Sequence, residues 1–307
     1  MQIELDSRSL FERYVAPRFD EMVHLNVDPA VGEEYVELMA KGGRPVLYGN
    51  HQGHGDGWLL GKVVEYLREK AKEAGVEFPG VVLPLARSMF TGDQGWVLKK
   101  ITELSAPILQ RRGLHMIPYT RNKDEINYGL KKNQAEVREM AKAAREGYGF
   151  CYLPEASIQG GRHKHFWGFF LGGEVNGVIA ADDKDGFAGF YDLINRFGHV
   201  KGETFFMGVA MEGSYRFMGA DIPIPTMELF QSLFADSSRP AQVTIESPIT
   251  VARLKSELQE DWRADGHLLN KFLMRSVVKD LPLASRGIYR NMPDLEFAAK
   301  PAVLSSR

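Results

Sequence analysis

PVLYGNHQGHGDGWLLGKVVEYL, residues 45–67, changes its periodicity halfway along. Residues 45–50 are a short apolar run of the kind that forms a buried strand. After a glycine-containing turn, Leu59, Leu60, Val63, Val64 and Leu67 recur at helical spacing, and the helix they predict ends near Gly75. A strand turning directly into a helix, repeated along a chain, signals an α/β architecture in which helices cover a sheet. The alternation does repeat. VVLPLAR (81–87), HMIPYTR (115–121), GFCYLPEAS (149–157), ETFFMGVAME (203–212) and AQVTIESPI (241–249) read as further strands. Asp93 is placed to cap a helix running through Val97, Ile101 and Leu104 and stopping before Pro107. Another helix is expected over about 127–145, with Leu130, Val137, Met140, Ala141 and Ala144 facing inward, and a last one behind Asp265 with Leu268, Leu269, Phe272 and Leu273 on one face.

Upstream, apolar residues spaced among charges over 5–40 suggest two amphipathic helical segments separated near Asn26–Pro29. The expected organisation is a helical lead-in over 1–40, an α/β domain over 41–290 with a mixed sheet between helices, and an irregular tail over 291–307.

Composition narrows the function. Among 307 residues, 38 Lys and Arg stand against 40 Asp and Glu, a net charge of −2, which disfavours a nucleic-acid binder. The longest apolar runs, such as GVVLPLA at 80–86, fall far short of the roughly 18–20 residues that cross a bilayer. The single cysteine, Cys151, excludes an intrachain disulfide framework, fits a reducing cytoplasmic compartment, and reads as a core thiol in a strand. Residues 1–40 hold nine acids and three arginines, a net −6, which leaves +4 on the remainder. Such a segment has neither the basic start of a signal peptide nor the acid-poor composition of a transit peptide, and it is not a cationic membrane anchor. Peripheral membrane contact is expected from the apolar and basic face of the main domain instead.

Three constellations carry chemistry. In NHQGHGD, His51 and Asp56 flank the strand-to-helix turn. With 8 histidines and 40 acids in the chain, about one such pairing arises by chance, so the pair's position carries the inference. An Asp that accepts from one imidazole nitrogen fixes the tautomer and makes the other a competent general base. The plain alternative is Asp56 as a helix N-cap beside a structural His51. A metallic alternative draws ligands from His51, His54, Asp56, His115, His163 and His165, although neither a helical His pair nor a Cys pair is present. The second constellation is basic. Arg121 ends one predicted strand, and QGGRHKH at 159–165 puts Arg162 and Lys164 behind another, a set suited to a phosphate monoester. The third is HFWGFFLGG at 165–173, either core packing or the wall of a groove for an alkyl chain.

These residues, in this order, resemble the glycerolipid acyltransferases. His51 and Asp56 match the first motif of that family, HMIPYTR ending at Arg121 looks like the second, Pro154, Glu155 and Ser157 are similar to the third, and FFMGVAM occupies the place of the fourth. Gly160, Gly161, Arg162 and Lys164 resemble a loop of the soluble plant-type glycerol-3-phosphate acyltransferases. The chain departs from the pattern at Ala156, where the family has glycine, at Ile158, where arginine is common, and at Gly208, where the fourth motif has proline. The resemblance implies transfer of a fatty acyl group from acyl carrier protein or coenzyme A to glycerol 3-phosphate, with lysophosphatidate as the alternative acceptor. It implies His51 as base, Asp56 as its orienting carboxylate, Arg121, Arg162 and Lys164 as phosphate ligands, and Glu155 against the acceptor. No cofactor is called for, and no enzyme nucleophile is required, because the thioester donor is already activated for attack. The rival classes are a metal-dependent hydrolase and a non-catalytic phospholipid-binding module.

Overall fold

The computed structural model describes residues 10–51, 53–92, 96–119, 134–153, 204–214, 237–258 and 266–282. It is an α/β structure with a mixed sheet flanked by helices. A π-helical turn, Phe11–Val15, leads into α1 (Ala16–Glu21), followed by β1 (Val23–Asn26), α2 (Pro29–Ala40), β2 (Arg44–Gly49) and α3 (Asp56–Glu73). Next come β3 (Val81–Ala86), the single turn α4 (Ser88–Thr91), α5 (Trp96–Arg112), β4 (Leu114–Tyr119), α6 (Gln134–Arg145) and β5 (Gly149–Tyr152). The described chain closes with β6 (Thr204–Glu212), β7 (Ala241–Ile245), β8 (Ile249–Thr250), α7 (Val251–Leu258) and α8 (Gly266–Val278).

The strands lie in the order β1-β7-β6-β2-β5-β3-β4, with β8 also on β6. Strands β2 to β6 are mutually parallel, β7 and β8 run antiparallel to β6, and β1 is parallel to β7. Alternation along the strands sorts the core into two layers. Leu47, Phe205, Met207 and Val209 face α1, α2, α3 and α5, whereas Val46, Tyr48 and Phe206 face α6, α7 and α8. Central strands buried on both faces read as near-continuous apolar runs, which is why 45–50 and 203–212 stand out in the sequence.

Four local outcomes differ from the sequence reading. Between the two predicted N-terminal helices the chain forms β1, which adds a parallel edge to β7, with Val23 against Ala241. The lead-in is therefore part of the sheet as well as of the helical layer. Helix α5 does not stop before Pro107 but runs to Arg112. Proline in a helix costs about 3 kcal/mol, but Ile108 and Leu109 beyond it are buried in the same core as Ile101. Each such burial contributes about 1.5–3 kcal/mol, so continuing the helix wins. AQVTIESPI is not one strand. Its two halves, β7 and β8, follow the same edge of β6 but break at Glu246–Pro248, where Pro248 has no N–H to give the ladder. Helix α7 was not announced by the sequence pattern. Asp93 and Asp265, the expected caps, lie outside the described residues, as do residues 127–133 of the helix expected over 127–145. Cys151 is buried in β5, as expected for a core thiol. Among the described residues, no helix is long and apolar enough to cross a membrane.

Candidate active site

Strand β2 ends at a close approach. A Cβ on Gly49 would sit 2.4 Å from the Val209 carbonyl oxygen, so the backbones of β2 and β6 meet there only because residue 49 is glycine. The next residue, Asn50, is buried and continues the pairing with its side chain. Its Nδ2 donates to the Met211 carbonyl at 2.7 Å, and its Oδ1 accepts from the Met211 N–H at 2.8 Å. The side-chain amide thus stands in for a peptide unit, satisfying β6 while the main chain turns away from the sheet. His51 is the first residue after that turn.

Helix α3 begins five residues later. Gly55 is its N-cap residue and supplies no side-chain cap, so Asp56 is the first residue of the helix and not its cap. The Asp56 carboxylate is 1% exposed, and its contacts lie outside the helix. Oδ2 accepts from His51 Nδ1 at 2.7 Å and from the Gly53 N–H at 3.1 Å, and Oδ1 accepts from the Ser214 hydroxyl. Position at the helix N-terminus favours its negative charge. An ionised carboxylate can only accept, so Nδ1 carries the imidazole proton and Nε2 is the basic nitrogen. The His51 side chain is 20% exposed, which keeps the ring in reach of a ligand while its orienting partner is dry. The pair has the geometry a general base requires, and Asp56 is not the N-cap that the plain alternative made it.

The place of this pair in the sheet follows from strand order. From β2 the chain runs out to β3 and β4, returns at β5 between β2 and β3, and then crosses to β6 on the other side of β2. In open α/β sheets such a reversal opens a crevice at the carboxyl ends of the strands, where ligands bind. His51 emerges at that edge. Parallel pairing means that β4 and β5 also end there. Strand β5 ends one strand spacing from β2, roughly 5 Å, and β4 three spacings away, roughly 14 Å.

The residues that follow those two strands, Arg121, Glu155, Arg162 and Lys164, lie outside the described residues, together with Pro154, Ser157 and the aromatic stretch 165–173. Of the site residues named from the sequence, the structure therefore brings together His51 and Asp56. Two polar residues of the site were missed, Asn50 and Ser214. Their partners lie 161 and 158 residues away, and no local spacing signals a contact of that range. Within the glycine-rich turn, the Gly53 N–H is bonded to Asp56. Among the described residues, no three His, Cys, Asp or Glu side chains are grouped to hold a metal ion, and His163 and His165 lie outside them.

Comparison with known proteins returned no matching family model and no significant match among curated proteins.

Proposed function

We propose that this protein is an acyltransferase that moves a fatty acyl group from a thioester, acyl-ACP or acyl-CoA, to the hydroxyl of glycerol 3-phosphate, with lysophosphatidate as the alternative acceptor. The observation that carries the reading is the His51–Asp56 pair at the carboxyl edge of β2, with Nδ1 held by a buried carboxylate. In the proposed reaction Nε2 takes the acceptor's hydroxyl proton as its oxygen bonds to the thioester carbonyl carbon. The tetrahedral intermediate collapses by breaking the C–S bond, and the departing thiolate takes the proton back from His51. The enzyme supplies no nucleophile. Ser214, whose hydroxyl is bonded to Asp56, is fully buried, and Asp56 is the wrong partner for a serine nucleophile activated by histidine. That contact disfavours a serine hydrolase.

The order of motifs supports the acceptor class, with Arg121, Arg162 and Lys164 proposed as phosphate ligands and Glu155 as an acceptor contact. Peripheral membrane association through the same edge belongs to this proposal. The test is an acyl-transfer assay with labelled acyl-ACP and acyl-CoA against glycerol 3-phosphate and lysophosphatidate. Activity with one acceptor is expected, and His51→Ala should lower kcat by at least about 10²-fold, the scale of general base catalysis. Unchanged turnover in folded His51→Ala protein would overturn the mechanism, and no transfer with any pairing would overturn the function.

A further inference from the structure

We infer that Ser214 is a positioning residue of the site, the third member of a Ser–Asp–His relay in which the end of β6 fixes the carboxylate that orients the base. The inference deepens the acyltransferase reading and rests on it for its kinetic consequence, but its geometry stands independently. A carboxylate held only through Oδ2 is free to rotate about its Cβ–Cγ bond, and rotation would take the acceptor lone pair away from His51 Nδ1. Asp56 is held at both oxygens, Oδ2 by the Gly53 amide and Oδ1 by the Ser214 hydroxyl. Because the carboxylate can only accept, Ser214 is the donor.

Ser214 itself is anchored. It lies three residues beyond Met211, whose N–H and C=O are both bonded to the Asn50 side chain. Asn50 in turn directly precedes His51. Base and hydroxyl therefore start from one clamped point between β2 and β6, and Asp56 closes the ring between them. Ser214 is 0% exposed and Asp56 1%, so removing the hydroxyl takes a donor away from a buried carboxylate oxygen, where bulk water does not replace it. Ser214 does not touch the reacting atoms. Its role is exerted through Asp56, as outer hydrogen bonds orient the groups that do the chemistry.

The test is proton NMR of the His51 Nδ1–H resonance in the whole protein without substrate, which requires no knowledge of the reaction. The wild type and Ser214→Thr, which keeps the hydroxyl, should show a downfield, slowly exchanging proton. Ser214→Ala and Ser214→Cys should broaden or lose it, and the cysteine variant preserves volume if alanine fails to fold. A resonance equally sharp in either hydroxyl-free variant, or missing from the wild type, would overturn the proposal. In the acyl-transfer assay, kcat of Ser214→Ala should fall about 10-fold below that of Ser214→Thr with KM for the acceptor unchanged, the size such outer-shell bonds carry. A loss confined to KM would also overturn it. If the resonance behaves as expected but the protein transfers no acyl group, the positioning role holds and the acyltransferase reading fails.

Discussion

Asp20→Ala is expected to destabilise the protein far more than its half-buried position suggests, because it strands a buried cation. Arg112, the last residue of α5, has a side chain only 9% exposed. Its Nη2 donates to both carboxylate oxygens of Asp20 in α1, at 2.8 and 2.7 Å. Trp58 Nε1, in the first turn of α3, donates to the same carboxylate at 2.9 Å, and the Arg112 guanidinium lies 4.5 Å from the Trp58 ring centroid. One carboxylate therefore joins the lead-in, α3 and α5. Removing one partner of a buried pair costs about 3–5 kcal/mol. Two features lower that figure: Asp20 is 34% exposed, so water can enter, and Glu65 remains 3.6 Å from Arg112 Nε. About 2–3 kcal/mol is the expected loss. Urea unfolding followed by tryptophan fluorescence measures it. Arg112→Met in the Asp20→Ala background should recover most of the loss, since replacing both charges by apolar groups is close to neutral. A loss in Asp20→Ala below about 0.5 kcal/mol, the range of ordinary surface substitutions, would refute the reasoning, as would a double variant no more stable than the single one.

Other predictions concern the site and the opposite face of the sheet. Asn50→Ala leaves the Met211 N–H and C=O without their side-chain partner and should cost about 2 kcal/mol or more in urea unfolding. Burial, reinforced by Asp280, pushes the Glu246 carboxyl up to about 8, even with Lys279 Nζ 2.6 Å away working in the other direction. The fold therefore favours protonated Glu246. Its stabilising contribution is complete below the ordinary carboxylate range and is lost as pH rises through about 8. Stability of the wild type should decline between about pH 5 and 9, and thermal unfolding across that range should show a shallower decline in Glu246→Gln. Under the acyltransferase proposal, Arg162→Ala should raise KM for the phosphorylated acceptor with kcat little changed. Steady-state kinetics measures this, and an unaltered KM removes Arg162 from the phosphate site.

The elements that periodicity announces are those whose neighbours along the chain decide their burial. Strand β2 and helix α3 are such a pair, and so is α6, whose Met140 and Ala144 face the core as their spacing predicts. Strand β1 is different. VHLN alternates apolar and polar over only four residues, too short a run to stand out beside the flanking helical patterns, and it becomes a strand because Ala241–Thr244 of β7 lies alongside to accept it. Pro107 reads locally as a helix stop, and only the core waiting for Ile108 and Leu109 overrides it. The break between β7 and β8 likewise depends on β6, whose Gly208 carbonyl accepts from the Glu246 N–H at 2.9 Å.

The site divides along the same line. By itself the sequence determined an α/β fold and a His51–Asp56 pair at a strand-to-helix turn, because both depend on contacts within a few residues. Tertiary structure decided which edge of which strand reversal carries the pair, and that Asn50 and Ser214 belong to it. Those bonds join residues more than 150 positions apart, and a long-range contact leaves no periodic trace in the chain that makes it. Gly208 shows the same division. In the sequence it is a missing proline in an expected motif, whereas in the structure a Cβ there would lie 3.0 Å from Glu246 Cγ and Ser276 Oγ, so glycine is what lets the buried polar cluster close against β6.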